Sequence, residues 1–293
     1  VNVLSLFDGI SCGQIALARL GVDVNNYFAS EIDKHAISIT QKNFPSTIQL
    51  GDVREIDGTS LPKIDLLMGG SPCQGFSLAG KQLNFDDARS GLFFEFVRLL
   101  KECKPKYFLL ENVNMKKESL DIISKYLNVE PVRINSNLVS AQNRDRYYWT
   151  NIQKDKDLAD RGVVLGDILE VLDAPSIRFV RNHFRVRFIT ENDRGYRPHR
   201  GDSKSSGIGE LGRILKKTAK KTNTLTATHA PKLALNSNIK DLAYRTLTPI
   251  ECERLQTLPD NYTEGAGNAQ RYKMIGNGWT IDVIAHIFKN IAR

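Results

Sequence analysis

The stretch IDLLMGGSPCQGFSLAG, residues 64 to 80, holds a cysteine where reactivity rather than packing is the better explanation. Ile64 to Met68 reads as a buried parallel strand, and Gly69, Gly70, Ser71 and Gly75 offer little apolar surface against which a thiol could pack as a small hydrophobe. Pro72 fixes the backbone directly before Cys73, and in open α/β sheets ligands bind beyond the carboxyl ends of the strands. Cys73 is therefore placed like a nucleophile. Two other runs carry groups that could serve it. YFLLENV sets Glu111 and Asn112 at the end of a strand, where a carboxyl group can donate to or accept from a ring nitrogen. QNRDRYYW holds Arg144 and Arg146 at strand spacing, which predicts that both side chains share a face.

A second site is foreshadowed nearer the start. LSLFDGISCGQIALARLG reads as strand, glycine loop and helix, with Gly9 and Gly13 letting backbone approach a ligand at a helix amino terminus. The dinucleotide fingerprint G-x-G-x-x-G is absent, so the loop alone decides nothing. Glu31 adds weight, because it stands at the carboxyl end of the second strand, where an acid commonly takes ribose hydroxyls. In GDVREI, Asp52 follows a third short strand and could accept from an adenine amino group. The three features together point to an adenosine-containing cofactor.

The elements that must position these groups follow from the alternation of the first 150 residues. VNVLSLF, NYFAS, IDLLMGG and YFLLEN read as strands, with helices near 13–20, 33–43, 91–103 and 115–127. Such alternation predicts a parallel sheet covered on both faces. EPVRINSNLV and RDRYYWTNI predict two further strands at an antiparallel edge, and the stretch from about 160 to 240 degrades into basic, Gly/Ser-containing sequence with GDSKSSGIGELG as its clearest loop. TPIECERLQTL opens with a Thr-Pro helix signal, and WTIDVIAHIFKNIA closes the chain as an amphipathic helix. A length of 293 residues suits one large α/β domain carrying a smaller one.

Composition narrows the class. No run of eighteen apolar residues and no charged-then-apolar leader occurs, so a soluble chain without a membrane span is expected. The cysteines at 12, 73, 103 and 252 lack metal-ligand spacing, which predicts reduced intracellular thiols and no metal. The charge is uneven. Between Ser176 and Lys221 stand thirteen basic and four acidic residues, a net of +9 in a chain whose total is +8. A block so concentrated is the footprint of a polyanion partner, and FVRNHFRVRF at 179 to 188 alternates as a strand with one basic face would. Arg178, Arg181, Arg185, Arg187, Arg213, Lys216, Lys217 and Lys220 are its candidate contacts.

With these residues in view, the chain resembles the DNA (cytosine-C5) methyltransferases. FDGISCG, ASEID, GDVREI, GGSPCQGFS, LLENV, QNRDRYYW, RTLTPIECERLQTLPDNY and MIGNGW stand in that family's order, covering nearly everything except about 155 to 240. FDGIS and GNGWTIDVIAHIF look closest to the animal de novo subgroup. Ser11 and Cys12 depart from the glycines of many bacterial members, and Gly278-Trp279 replaces a commoner small-residue and valine pair.

The resemblance implies an α/β fold: a doubly wound, Rossmann-like methyltransferase sheet with a smaller basic target-recognition domain. It implies a catalytic domain at 1–160, a DNA-binding region at 161–244 and a C-terminal segment, 245–293, returning to the catalytic domain. It makes Cys73 the nucleophile, Glu111 the group that meets the cytosine N3 and amino edge, Arg146 the contact to O2 and Arg144 a supporting contact. Phe7, Gly9, Gly13, Glu31, Ile32, Asp52, Pro72 and Asn277 would bind S-adenosyl-L-methionine, which leaves as S-adenosyl-L-homocysteine. Residues 74 to 90 would close over a base flipped out of double-stranded DNA. A monomer is expected, cytoplasmic if bacterial or phage-encoded and nuclear if eukaryotic, with restriction-modification as one setting. A transfer-RNA cytosine-C5 methyltransferase and an inactive DNA-binding regulator of the same fold remain alternatives at this point.

Overall fold

The computed structural model describes residues 1–71, 88–153, 157–171, 178–179, 185–189, 210–215, 220–222, 225–226, 231–234 and 243–291. Seven strands form the principal sheet: β1 (Asn2–Leu6), β2 (Asn26–Ser30), β3 (Ile48–Gln49), β4 (Leu66–Gly69), β5 (Tyr107–Val113), β6 (Val132–Asn135) and β7 (Asp145–Thr150). Their order is β3-β2-β1-β4-β5-β7-β6, parallel from β3 to β5, with β7 antiparallel to both β5 and β6. The expected antiparallel hairpin is present, and the reversed strand lies one place inside the edge, which β6 occupies.

Period-two alternation explains how one sheet divides two cores. Val3, Leu66, Met68, Leu109 and Tyr148 belong to one buried cluster, while their neighbours Leu4, Leu67, Phe108, Leu110 and Trp149 belong to the other. The first cluster receives α1 (Cys12–Arg19), α2 (Lys34–Asn43), α6 (Pro249–Leu255), α7 (Asn268–Asn277) and α8 (Ile281–Phe288). The second receives α3 (Ala88–Cys103) and α4 (Lys117–Leu127). Helices on both faces are what a nearly all-apolar strand such as β4 requires.

Local signals fix the helix ends. The Asp33 side chain accepts from His35 N at 3.0 Å to start α2, and Thr248 with Glu251 forms a capping box before the proline of α6. The last helix packs on the first, and Asp282 at its start pairs with Arg19 at the end of α1. The sequence does not announce α7; NAQRYKMIGN has weak apolar periodicity and ends among glycines.

Five short strands form a second sheet: β8 (Arg178–Phe179), β9 (Arg185–Ile189), β10 (Glu210–Leu215), β11 (Lys232–Ala234) and β12 (Ala243–Thr246), in the order β8-β12-β11-β10-β9. This corrects the expectation of one strand over 179 to 188. β8 and β9 stand at opposite edges, because alternation is satisfied equally by two short strands. The loop expected through 212 is likewise shortened, since β10 begins at Glu210.

The basic block ends against the principal sheet. Thr222 N donates to Ala141 O at 2.7 Å, and Asn143 N donates to Thr222 O at 2.9 Å. α5 (Leu165–Ile168) buries Leu165 and Ile168 in the first core cluster, and Glu170 N donates to Glu251 Oε1 at 2.9 Å. The stretch just after residue 160 is thus packed with the C-terminal helices.

Candidate active site

A cleft of about 590 Å³ opens at the carboxyl ends of the parallel strands. Phe7, Asp8 and Gly9 come from the end of β1, Glu31 and Ile32 from β2, Asp52 from the turn after β3, and Gly70 and Ser71 from β4. Glu111 and Asn112 come from β5, Arg146 from β7, and Asn277 to Trp279 from the end of α7. A sheet whose parallel strands each deliver a polar group to one crevice has the architecture of a nucleotide-cofactor enzyme.

At the amino-terminal side, the loop after β1 is held in an uncommon backbone. Phe7 and Ser11 both have φ of 56° and Gly9 has 59°, the left-handed region that costs a side-chain-bearing residue energy. Glu31 fastens this loop to β2: its Oε2 accepts from Gly9 N at 2.8 Å, and its Oε1 accepts from Ile32 N and Asp33 N at 2.8 Å each. Of roughly four acceptor positions on a carboxylate, that leaves about one for a ligand hydroxyl. Ile32 beside it is 74% exposed, an apolar face open to the cleft. Asp8 accepts from Tyr27 OH at 2.7 Å and from Ser11 Oγ, and burial pushes its carboxyl up to about 6 despite those donors. Asp52 is drawn down to about 2 because Arg54 donates to both of its oxygens.

At the other side, Glu111 is clamped between a cation and an indole. Arg146 Nε lies 2.9 Å from Oε1, and Trp279 Nε1 donates to Oε2 at 3.1 Å. The arginine's Nε is buried with no aligned acceptor, so the contact is an ion pair with donor capacity to spare. Asn112 Nδ2 donates to Ser71 O at 3.3 Å, tying β5 to the segment that leads into residue 72.

The structure thus gathers Phe7, Gly9, Glu31, Ile32, Asp52, Glu111, Arg146 and Asn277 on one cleft. Pro72 and Cys73 lie outside the described residues. Arg144 also lines the cleft; it is 5% exposed, with its guanidinium donating to Leu225 O at 3.2 Å, Gly276 O at 3.3 Å and Gly278 O at 2.8 Å. Desolvation, then the neighbouring Arg146, lowers it to about 10, still a cation at neutral pH. Gly13 is not among the residues that line the cleft; a Cβ there would fall 2.4 Å from Cε at the flexible end of Met68, where α1 packs on β4. Asp8, Cys12, Arg54 and Trp279 also line the cleft; they lie within FDGISCG, GDVREI and MIGNGW, motifs that by themselves give these four residues no site role.

Of the basic candidates, Arg178 lies in β8, Arg185 and Arg187 in β9 and Arg213 in β10, with Arg213 and Arg187 at paired register positions. Lys220 is exposed; Arg181, Lys216 and Lys217 lie outside the described residues. The block also contains a structural lysine. Lys221 Nζ donates to Asn137 O at 2.8 Å, Ser140 O at 3.1 Å and Val163 O, and burial lowers its pKa.

Among the described residues no cluster of three or more His, Cys, Asp or Glu is arranged to hold a metal, and no helix is long and apolar enough to cross a membrane.

Comparison with known proteins agrees with the geometry. The family described as C-5 cytosine-specific DNA methylase matches residues 1–293, and the chain belongs to it. It is 32% identical to the type II methyltransferase M1.ScrFI of Lactococcus lactis subsp. cremoris, over 97% of this chain and 76% of that protein. It is 30% identical to the type II methyltransferase M.NlaX of Neisseria lactamica, over 98% and 94% respectively. The solved structure of the Entamoeba histolytica methyltransferase EhMeth has the same fold, with a TM-score of 0.74 at 18% identity over 99% of this chain and 98% of that one.

Proposed function

We propose that the protein methylates C5 of cytosine in double-stranded DNA, taking the methyl group from S-adenosyl-L-methionine, with Cys73 as nucleophile and Glu111 and Arg146 as the groups that hold the base. The observation that carries this is the cleft itself, which joins a carboxylate–arginine pair at one end to Glu31 and the exposed Ile32 at the other. Those residues fit the cofactor. Glu31 retains an acceptor position for a ribose hydroxyl, Ile32 offers an apolar face for adenine, and nothing lies within 4 Å of where a side chain on Gly9 would begin. Asp52 fits less well as an adenine acceptor while Arg54 occupies both its oxygens.

When bound, S-adenosyl-L-methionine supplies an electrophilic methyl group on a sulfonium. Cytosine C5 is too weak a nucleophile to take it unaided. The Cys73 thiolate adds to C6, forming a C–S bond, while Glu111 holds or protonates N3, so that the ring becomes an enamine with electron density at C5. Arg146 meets O2 and keeps the ring in plane with the carboxyl group. After methyl transfer, loss of the C5 proton and departure of the thiolate restore the aromatic ring. Because C6 cannot be reached inside a duplex, the base is flipped out at a cost of a few kcal/mol, offset by these contacts. The basic strands and their flanking lysines neutralise phosphates, which gives affinity that falls steeply with salt.

Incubation with tritiated S-adenosyl-L-methionine and either duplex DNA or transfer RNA tests the substrate, with label expected on DNA alone. Duplex containing 5-fluorocytosine should become covalently linked to the protein through Cys73. Methyl transfer to RNA only, or active protein that never forms that adduct, overturns the assignment.

A further inference from the structure

The last segment of the chain reaches farther into the cleft than closing a cofactor pocket requires. After α7 the backbone turns through Gly278, and Trp279 follows with its side chain 9% exposed and its indole Nε1 3.1 Å from Glu111 Oε2. These residues are 168 positions apart in sequence. Three contacts fix the turn that carries the indole. Arg144 Nη2 and Gln256 Nε2 donate to Gly278 O at 2.8 and 3.2 Å, and Trp279 N donates to Cys12 Sγ at 3.4 Å. Burial pushes the Cys12 thiol up to about 12, so it accepts from Trp279 N as a neutral thiol, a weak acceptor. Space is reserved for the contact as well: a Cβ on Gly70 would lie 3.0 Å from Trp279 Nε1 and 3.1 Å from Glu111 Oε2.

We propose that Trp279 is a positioning residue for Glu111, its indole N–H fixing one carboxylate oxygen while Arg146 takes the other, and that Arg144 serves the reaction by holding the turn that carries Trp279. This rests on the reading of Glu111 as the group that meets the base. A carboxylate held by a hydrogen bond on one oxygen and an ion pair on the other is hindered from rotating about its terminal bond, so its edge is presented to the ring nitrogen in one orientation, and preorganisation of that kind is expressed in the chemical step. Arg144 then acts at a distance through a peptide carbonyl and a ring. Its burial against three carbonyl oxygens is consistent with that role and not with a direct contact to a base.

The chain has two tryptophans, Trp149 and Trp279, so an indole-¹⁵N-labelled sample gives two side-chain N–H signals. Trp149 donates to Ser124 and serves as an internal control. Glu111→Ala should move the Trp279 signal and leave that of Trp149; an unmoved pair of signals overturns the hydrogen bond. Trp279→Phe keeps a ring against the cleft and removes the donor. It should slow single-turnover methyl transfer about tenfold with the cofactor Kd changed by less than about threefold. A change in cofactor Kd that accounts for all of the rate loss would reduce Trp279 to a pocket wall. Should Trp279→Phe not fold, Arg144→Lys read by the same indole signal tests the same chain of contacts, and an unshifted Trp279 signal there counts against it. Full single-turnover activity in Glu111→Gln would instead remove Glu111 from the mechanism, whatever the indole signals do.

Discussion

The two sheets are built to different specifications. In the principal sheet, strands buried on both faces end in polar groups that meet at one crevice, so each side chain has a place set by backbone pairing on either side. The second sheet is made of strands between two and six residues long, three of them drawn from a block whose most conspicuous property is charge. Rigid positioning suits bond-making, where an error of an ångström is costly. Charge suits a partner recognised first as a polyanion, where many weak contacts share the work. The difference teaches that the chemistry should be sensitive to single atoms and the binding to sums.

The sharpest way to break that contrast is at Cys73. Cys73→Ser should lower methyl transfer by about 10³-fold or more, while Kd for duplex DNA and cofactor stays within about threefold. A binding defect matching the loss of turnover would mean that the principal sheet also carries recognition.

A second test concerns the junction. Arg245 in β12 forms a buried ion pair with Glu251 in α6, 2.6 Å apart, so the second sheet is fastened to the helices of the first by two charges taken out of water. Glu251→Ala leaves Arg245 uncompensated and removes the acceptor for Thr248 N and Glu170 N. Unfolding free energy from urea titration should fall by about 3–5 kcal/mol. A decrease under about 1 kcal/mol would show that the two sheets are energetically independent.

What the sequence made legible follows the same division. Ends of strands are local features: an apolar run followed by glycine or an acid places Glu31 and Glu111 without knowledge of anything distant. Arg144 carries a commitment that its spacing does not show. Period two aligns residues only within a strand, and β7 begins at Asp145, so Arg144 sits in the preceding turn: it lines the same cleft as Arg146 but commits its guanidinium to three carbonyl oxygens. Gly13 is ambiguous in sequence because a glycine can serve either a ligand or a packed methionine. Trp279 stands out in the sequence as a departure from pattern, but its partner lies on β5 and no short-range signal connects them. The basic block announced its charge and concealed that Lys221 is spent on three carbonyl oxygens.

Asp8 offers a smaller effect, read through pH. Its carboxyl titrates near 6 in the folded chain against an ordinary value of 3.8, because burial disfavours its charge. The folded state therefore holds a proton that the unfolded state releases between those values, and the associated stability is present below about 3.8 and lost as pH rises through about 6. Asp8→Asn has no such loss. Its stability relative to the parent should increase by about 2–3 kcal/mol between about pH 4 and 7, taking roughly 1.4 kcal/mol for each pH unit that separates the two values. A difference that is flat with pH would mean that Asp8 stays charged in the strained loop it braces.

The smallest effects should come from the basic block, and they separate its members. Lys216→Gln with Lys217→Gln should weaken duplex binding by about tenfold or less and reduce the slope of log K against log salt by about one for each phosphate no longer neutralised, with single-turnover methylation unchanged at saturating DNA. Lys221→Gln should do the reverse. Its ammonium is committed to Asn137, Ser140 and Val163 carbonyls beside the principal sheet, so its removal lowers stability and leaves the salt slope intact. Lysines so close in sequence would then divide between two tasks, one set counting phosphates and the other holding the turn beside β7 in place. If Lys221→Gln lowered the salt slope as much as the other pair, the boundary between binding by charge and positioning by contact would have to be moved to the far side of Thr222.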